Sequence, residues 1–459
     1  MRDLSKPTTP SGAHRQHLLA EGHEFVASLP AAEAIAPRHP EHKKTLSDIV
    51  DALAPELISL SHALHAHPEV GFEEHYALLQ VQEILHRHSL DSQAGVYDIP
   101  TALRSSIESD TAHTSLTRPE GAPAHVPTIA LLCEFDALPN IGHGCGHNVM
   151  CAQSVGAYLA LAAFQRENPQ GIPGRIVFQT TPAEENSTCK QMLVDRGAFD
   201  DVDAAIMAHS YNVDLADQTW LGIRRFRVVY HGVPAHASSA PFMGRNALDA
   251  AVLALNGLGL LRQQLPASDR IHAVIADGGA VANIIPERTE LEVRIRSKHI
   301  DTLVDLDSRV TDVFSGAALM TGTGVEIIHD KVPNEMPVRS NRYLLDSFIT
   351  AMRERGRNPL PFGAVPETLA ASTDFGNVSI RVPGIHPLVA IGGAHLMLHT
   401  RDMADAACMP TADQAILDGA YALAATAFDF LTDADLRERV QADFDAHGGV
   451  IDPHTLFTA

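Results

Sequence analysis

Cysteine, aromatic residues and positive charge are all in short supply in this chain. Its five cysteines (Cys133, Cys145, Cys151, Cys189 and Cys408) are an odd, widely spaced set in 459 residues. That excludes a disulfide framework and points to a reducing, cytoplasmic location. A single Trp and an aromatic share of 5% leave no stacking platform for nucleic acid. Lys and Arg number 34 against 56 Asp and Glu, a net charge of -22. Nucleic acid and anionic membrane surfaces both require a basic face, so neither is expected as a partner. No run approaches the ~20 apolar residues that span a bilayer, and the N-terminus has no basic-then-apolar signal. GxSxG and a phosphate-binding glycine loop are also missing, so serine-hydrolase and nucleotide readings have no anchor.

What is present is globular: 45% hydrophobic and 20% charged residues. The length exceeds one ordinary core, so about two domains are expected. Residues 1–44, rich in Pro, His, Ala and charge, read as an extension that is poorly ordered or docked on the surface. Helical patterns start near Leu46 and run from Glu73 to His88. Residues 109–126 read as a long surface loop. From Ile129, short apolar runs alternate with helices: strands at Ile129–Cys133, 175–181 and 204–208, helices at 149–165 and 188–196. This alternation predicts an α/β domain with a mainly parallel sheet. In such sheets functional groups gather at the carboxyl ends of strands, and Asp136, Glu184, Glu185 and His209 all follow expected strand ends. From Arg224 the rhythm becomes β-α-β-β-α-β, which predicts an α+β, ferredoxin-like unit. The first pattern resumes near Arg339 and closes with a helix at 413–431. The expected organisation is therefore an extension (1–44), a first domain in two pieces (45–223 and 338–432), an inserted domain (224–337) and a tail (433–459).

The chemistry concentrates in a few segments. GHGCGHN places Cys145 and His147 two residues apart in a glycine-framed loop that can aim both at one metal ion, with zinc or another late first-row metal suited to the pair. TPAEEN holds adjacent carboxylates, Glu184 and Glu185. Leaving a strand they would point in different directions, one toward metal and one toward a reactive water. Alone, such a pair is more often two solvated residues opening a helix. His209 in IMAHS is by itself more often structural. His399 shares GGAHLMLHT with His395, and spacing does not choose between them. Two other readings stand beside a metal hydrolase. In a cysteine hydrolase Cys145 would attack with His147 as base, although residues two apart rarely present both correctly. A binding protein that kept the fold without catalysis is the other.

The segments HPEVGFEE, DALP, GHGCGHN, PAEEN, HGVPAHAS, NALDAAV, ANIIPERTELEVRIR and STDFGNVS, in this order, resemble the amidohydrolase subfamily (subfamily D) of the M20 aminoacylase/carboxypeptidase metallopeptidases. They are especially similar to its β-alanyl-lysine dipeptidase-like and aminobenzoyl-glutamate hydrolase branch, and Asn148 reads as a mark of that subgroup. The resemblance implies a dinuclear-metallopeptidase catalytic domain and two divalent ions, zinc or manganese, with cobalt or nickel as alternatives. It implies metal ligands at Cys145, His147, Glu185, His209 and His399, and a general base at Glu184. Asp136 would orient a ligand, and Glu134 would also stand behind the ligands. The inserted domain would act as lid and homodimer interface. It would carry His236 into the partner's site as an oxyanion donor. Asn283, Arg294, Gly392 and Gly393 would hold substrate, a dipeptide or N-acyl amino acid. An exposed strand arginine is the blander reading of Arg294 and Arg296.

Overall fold

The computed structural model describes residues 11–29, 38–109, 125–329 and 332–457. Most of the surface loop expected at 109–126 lies outside them. The larger sheet has six strands, ordered Ser92–Ala94, Leu103–Glu108, Arg175–Thr180, Thr128–Cys133, Ala204–Ile206 and Gly384–Ile385. The first two pairings in this order are antiparallel, and the other three are parallel. Thr128–Cys133 is buried at every residue, as a central strand covered on both faces must be. Helices His147–Glu167 and Pro410–Thr432 pack against each other over this sheet. Gly156 and Gly419 leave space there for Leu57 and Gln153 side chains. By length and composition Pro410–Thr432 could cross a bilayer, contrary to the reading that no run approaches that length, but 89% of its apolar window is buried within the protein. It is the core helix of the larger domain.

The smaller sheet is ordered Gly324–His329, Gly222–His231, Arg288–Ser297 and Arg270–Asp277, every pair antiparallel. Helices Ala247–Leu261 and Ile300–Thr321 cover one face. With the sheet they enclose a second core around Phe226, Val228, Leu291, Val293, Val310 and Phe314. The β-α-β-β-α-β order expected from the sequence is thus an α+β sandwich, and the larger unit is α/β with a mainly parallel sheet.

The N-terminal extension takes the docked form of its two expected readings, and the C-terminal segment is more than a tail. Ala13–Ser28 is helical, and its Gly22 is buried against the Ala364 carbonyl. Residue 44 falls inside a second helix, Pro40–Ala52, whose Lys43 is buried against Asp429 at 2.8 Å. The segment expected as a tail forms helix Ala434–Ala446, capped by Asp433 and burying Leu436, Val440 and Phe444. Phe457 reaches the smaller core, and the Arg224 guanidinium lies 3.9 Å from its ring centre. High polarity hid the spacing of that helix's apolar stripe.

Candidate active site

The glycine-framed segment turns from the loop after Cys133 into a long helix. Gly146 precedes the first helical residue, His147, in the left-handed region at φ 71. A Cβ there would lie 2.7 Å from Ser210 Cβ, so glycine is required both by the backbone and by the approach of the His209 strand. That strand, His209–Tyr211, pairs in parallel with Leu388–Ala390. His209 therefore opens a strand of its own rather than following the end of Ala204–Ile206. Glu184 and Glu185 begin a four-residue helix after Ala183, whose φ is 56. Helical rotation, not a strand's pleat, separates their directions. His399 also has positive φ, and its N–H donates to the Gly144 carbonyl at 3.0 Å.

These elements bring donor atoms of Cys145, His147 and His209 within 4.8 Å of one another. The same holds for Cys145, Glu185 and His399, and for His147, Glu184 and Glu185. His395 is exposed and joins none of these groups. Asp136 ties the cluster together. Its carbonyl and Oδ1 accept from His147 Nδ1 at 2.9 and 3.0 Å, and its Oδ2 accepts the Glu185 N–H at 3.0 Å. Holding Nδ1 in this way aims His147 Nε2 inward, as a carboxylate behind a ligating histidine does. His209 Nδ1 is likewise held, by the Ser210 carbonyl at 2.6 Å.

A divalent cation fits this donor set. His147 Nε2 and Glu185 Oε1 are buried without a hydrogen bond, an arrangement that costs free energy unless something else satisfies them. The charges agree. Burial opposes protonation of His147, but Asp136, Glu134 and Glu185 outweigh it and hold the imidazolium well above the usual histidine range. Burial, reinforced by Glu185, Glu184 and Asp136, pushes the Cys145 thiol far up. Burial and the Glu134, Asp374 and Glu185 carboxylates push Glu184 far up as well. His209 is depressed to about 4 by burial, which keeps it neutral. The cluster thus carries surplus negative charge that protons satisfy and that a cation would satisfy instead. A thiol so surrounded by carboxylates is a poor free nucleophile, which weighs against the cysteine-hydrolase reading.

Behind Glu184 lies a triad that the sequence did not reveal. Lys190 Nζ, fully buried, contacts Glu134 Oε1 and sits 2.5 Å from Asp374 Oδ1. Glu134, Glu184 and Asp374 oxygens lie within 4.8 Å of one another. Glu134 is held down to about 2: burial opposes this, but Lys190 and His147 prevail. Asp374 is pushed up to about 6 by burial despite Lys190. One ammonium is shared by two carboxylates, and Glu134 has the imidazole as a further partner. Glu134 also lies 3.3 Å from His147 Nε2, but its Oε2 lacks hydrogen-bond geometry to it. Asp374 belongs to STDFGNVS, and that segment was the available signal. Asn148 is buried and donates to Ser61 Oγ and the Ala407 carbonyl, each at 2.9 Å. It staples helices and offers no donor to the cluster.

A cavity of about 490 Å³ opens over the cluster, lined by Cys145, Glu184, Glu185, His209 and His399 on one side. Arg225, Arg270, His272, Arg294 and Arg296 of the smaller sheet line the other, with Trp220 and the 370–373 loop between. His236, Asn283, Gly392 and Gly393 do not line it. His236 is exposed, its Nδ1 accepts from the Ser238 and Ser239 amides, and it pairs with Ile284 beside Asn283. Gly392 packs closely on Leu396, where a Cβ would lie 2.5 Å from Leu396 Cδ1.

Comparison with known proteins agrees with this architecture. The chain is 36% identical over 408 residues to the human (Homo sapiens) Xaa-Arg dipeptidase, covering 87% of this chain and 91% of that protein. It is 26% identical to a p-aminobenzoyl-glutamate hydrolase of Escherichia coli (strain K12), covering 87% and 94%. Among solved structures, the aminobenzoyl-glutamate utilization protein of Klebsiella pneumoniae superposes with a TM-score of 0.60 at 19% identity, over 85% of this chain and 100% of that one. The Bacillus subtilis YXEP protein, a dinuclear metal binding peptidase, does so with a TM-score of 0.58 at 18% identity, over 81% and 98%. Residues 127–429 match the profile of peptidase family M20/M25/M40, and the chain belongs to that family.

Proposed function

We propose that this chain hydrolyses the amide bond of a dipeptide or an N-acyl amino acid, with the Cys145–His399 cluster as its catalytic centre. The observation that carries the reading is the convergence of three imidazoles, a thiol and two adjacent carboxylates in one cluster at the floor of a cavity, with the buried His147 Nε2 and Glu185 Oε1 unpaired. In this reading Cys145, His147, Glu185, His209 and His399 hold two divalent ions. Thiolate and imidazole donors favour zinc, carboxylates accommodate manganese, and cobalt and nickel share these preferences. When bound, the ions polarise the scissile carbonyl and lower the pKa of water. Asp136 orients His147 and Glu185. Glu184 takes a proton from the attacking water and passes it to the leaving nitrogen. Its surroundings, which raise its proton affinity, suit that exchange. A dinuclear relative of the same fold and relatives named for amide hydrolysis support the assignment.

The smaller domain serves in this reading as a homodimer interface. Its edge strand Arg270–Asp277 exposes Val274 and Ile275, and its helices expose Val252, Leu260, Leu319 and Met320. An unpaired apolar edge favours strand addition by a second chain. His236, outside its own cavity, would then complete the partner's site. The test is Glu184→Gln. It should retain ions and lose nearly all turnover, and wild-type-like activity would remove Glu184 from the base role. Mixed with His236→Ala subunits, the same variant should recover activity in hybrid dimers. Hybrids without recovery would place His236 outside the reaction.

A further inference from the structure

A second cavity, of about 930 Å³, lies between the two domains and shares one lining residue, Trp220, with the catalytic cavity. Both passages of chain that join the domains line it. Asp217–Trp220 leads into strand Gly222–His231, and 337–339 returns after strand Gly324–His329. Ile300, Val304, Val338, Phe362, Ile451 and Leu456 give it an apolar interior, and Phe362 is 58% exposed. Gln218 and Trp220 are each 4% exposed, yet both ends of the Gln218 amide and the Trp220 Nε1 have no partner. Buried polar groups left unpaired cost free energy. Arg339, half-buried on the same wall, is the third such group. Its guanidinium donates to the His447, Gly449 and Ser379 carbonyls, while its Nε is buried and unpaired. No carboxylate pairs with it among the described residues. Burial alone lowers its proton affinity, to about 10. The carboxylates lining the cavity are committed elsewhere. Glu367 is paired with Lys298, Asp301 accepts the Thr302 N–H, and Asp217 accepts from Ser340 Oγ and the Gln218 N–H.

We propose that this cavity is a second ligand site, taking a small carboxylic acid with an apolar body. Small-molecule sites have this form: an apolar hollow of a few hundred to about 1,000 Å³ at a domain boundary, with a few converging polar groups. Buried charges are normally paired, and a carboxylate supplies what the Arg339 guanidinium lacks. The apolar body lies among Ile300, Val304 and Phe362. A neutral amide leaves the guanidinium unmatched, and an amine adds a like charge beside it. An occupant touches both linkers and Trp220. The indole packs edge-on against His386 at 4.8 Å between ring centres, and His386 lies 5.3 Å from His209. Occupancy therefore bears on turnover from outside the catalytic cavity. Binding here does not depend on the amide-hydrolysis reading and is measurable without it.

The test titrates octanoate, octanamide and octylamine into the metal-reconstituted full chain. Trp220 is the chain's single tryptophan, so its fluorescence reports occupancy while calorimetry gives affinity. Octanoate should bind about tenfold or more tighter than octanamide, the difference of one charge-assisted contact. Octylamine should be weakest. Arg339→Gln should bring octanoate down to the affinity of octanamide. Phe362→Asp, at a position already exposed, should abolish octanoate binding while keeping the melting temperature and ion content of wild type. In turnover assays octanoate should change kcat in wild type and leave Phe362→Asp unaffected. Octanamide bound as tightly as octanoate, or octanoate affinity unmoved in both variants, would overturn the inference. Purely competitive inhibition, with KM raised at constant kcat, would place octanoate in the catalytic cavity and overturn it as well.

Discussion

Removing the Lys190 ammonium should expose how much the buried charge behind Glu184 depends on it. Lys190, Glu134 and Asp374 are all essentially inaccessible to solvent. Lys190→Met keeps the volume and the apolar stem but leaves Glu134 and Asp374 facing each other without the ammonium between them, Asp374 with no other cation beside it. Breaking a buried pair by removing one partner costs about 3–5 kcal/mol, and the full figure applies only while both carboxylates stay ionised. Asp374 already sits at about 6 with the ammonium in place, so without it both groups take up protons more readily. The sign follows. In the variant, folded carboxylate pKa values lie above the unfolded ones, so the deficit vanishes at low pH and grows as pH rises. Urea denaturation of chelator-treated protein, followed by circular dichroism, should show a loss of about 3–5 kcal/mol near pH 8 and a clearly smaller one near pH 5. Adding Asp374→Asn to Lys190→Met should recover part of the loss. A deficit below about 1 kcal/mol near pH 8, or one that grows on acidification, would refute the reasoning.

Two further predictions concern the scaffold of the site. Glu74 is buried, its Oε1 accepts the Ala183 N–H at 2.8 Å, and burial with the Asp136 charge pushes it up to about 7. Its contribution is therefore fully present below the usual 4.5 and lost as pH rises through about 7. Glu74→Gln, which cannot ionise, should gain stability relative to wild type across that window in a pH series of denaturation midpoints, and a flat difference would contradict it. Gly146→Ala should cost about 1–2 kcal/mol for the left-handed backbone alone, and more for the contact with Ser210. It should also weaken ion retention measured by elemental analysis after dialysis, and a variant that melts and retains ions like wild type would contradict the packing argument.

Much of the architecture is legible in local pattern. Thr128–Cys133 is a continuous apolar run because both faces of that strand are covered, and Arg288–Ser297 alternates because one face is not. Errors arose where local composition and tertiary burial disagree. Ala434–Ala446 is polar on average, yet three apolar residues on one stripe dock it. Pro410–Thr432 is long and apolar enough to cross a bilayer, which the search for a continuous apolar run did not register, because a helix buried inside a protein needs much the same composition.

The site divides along the same line. Spacing alone determined that Cys145 and His147 lie close together and that Glu184 and Glu185 stand side by side, since covalent geometry limits how far neighbours can separate. Family resemblance names His399 and Asp136, but only the tertiary structure shows Asp136 holding both His147 and Glu185 and sets Lys190 between Glu134 and Asp374, residues up to 240 positions apart in the chain. Strand pairing turned Arg294 and Arg296 from two exposed strand residues into part of a cationic wall, because register decides which side chains share a face and which cavity that face lines.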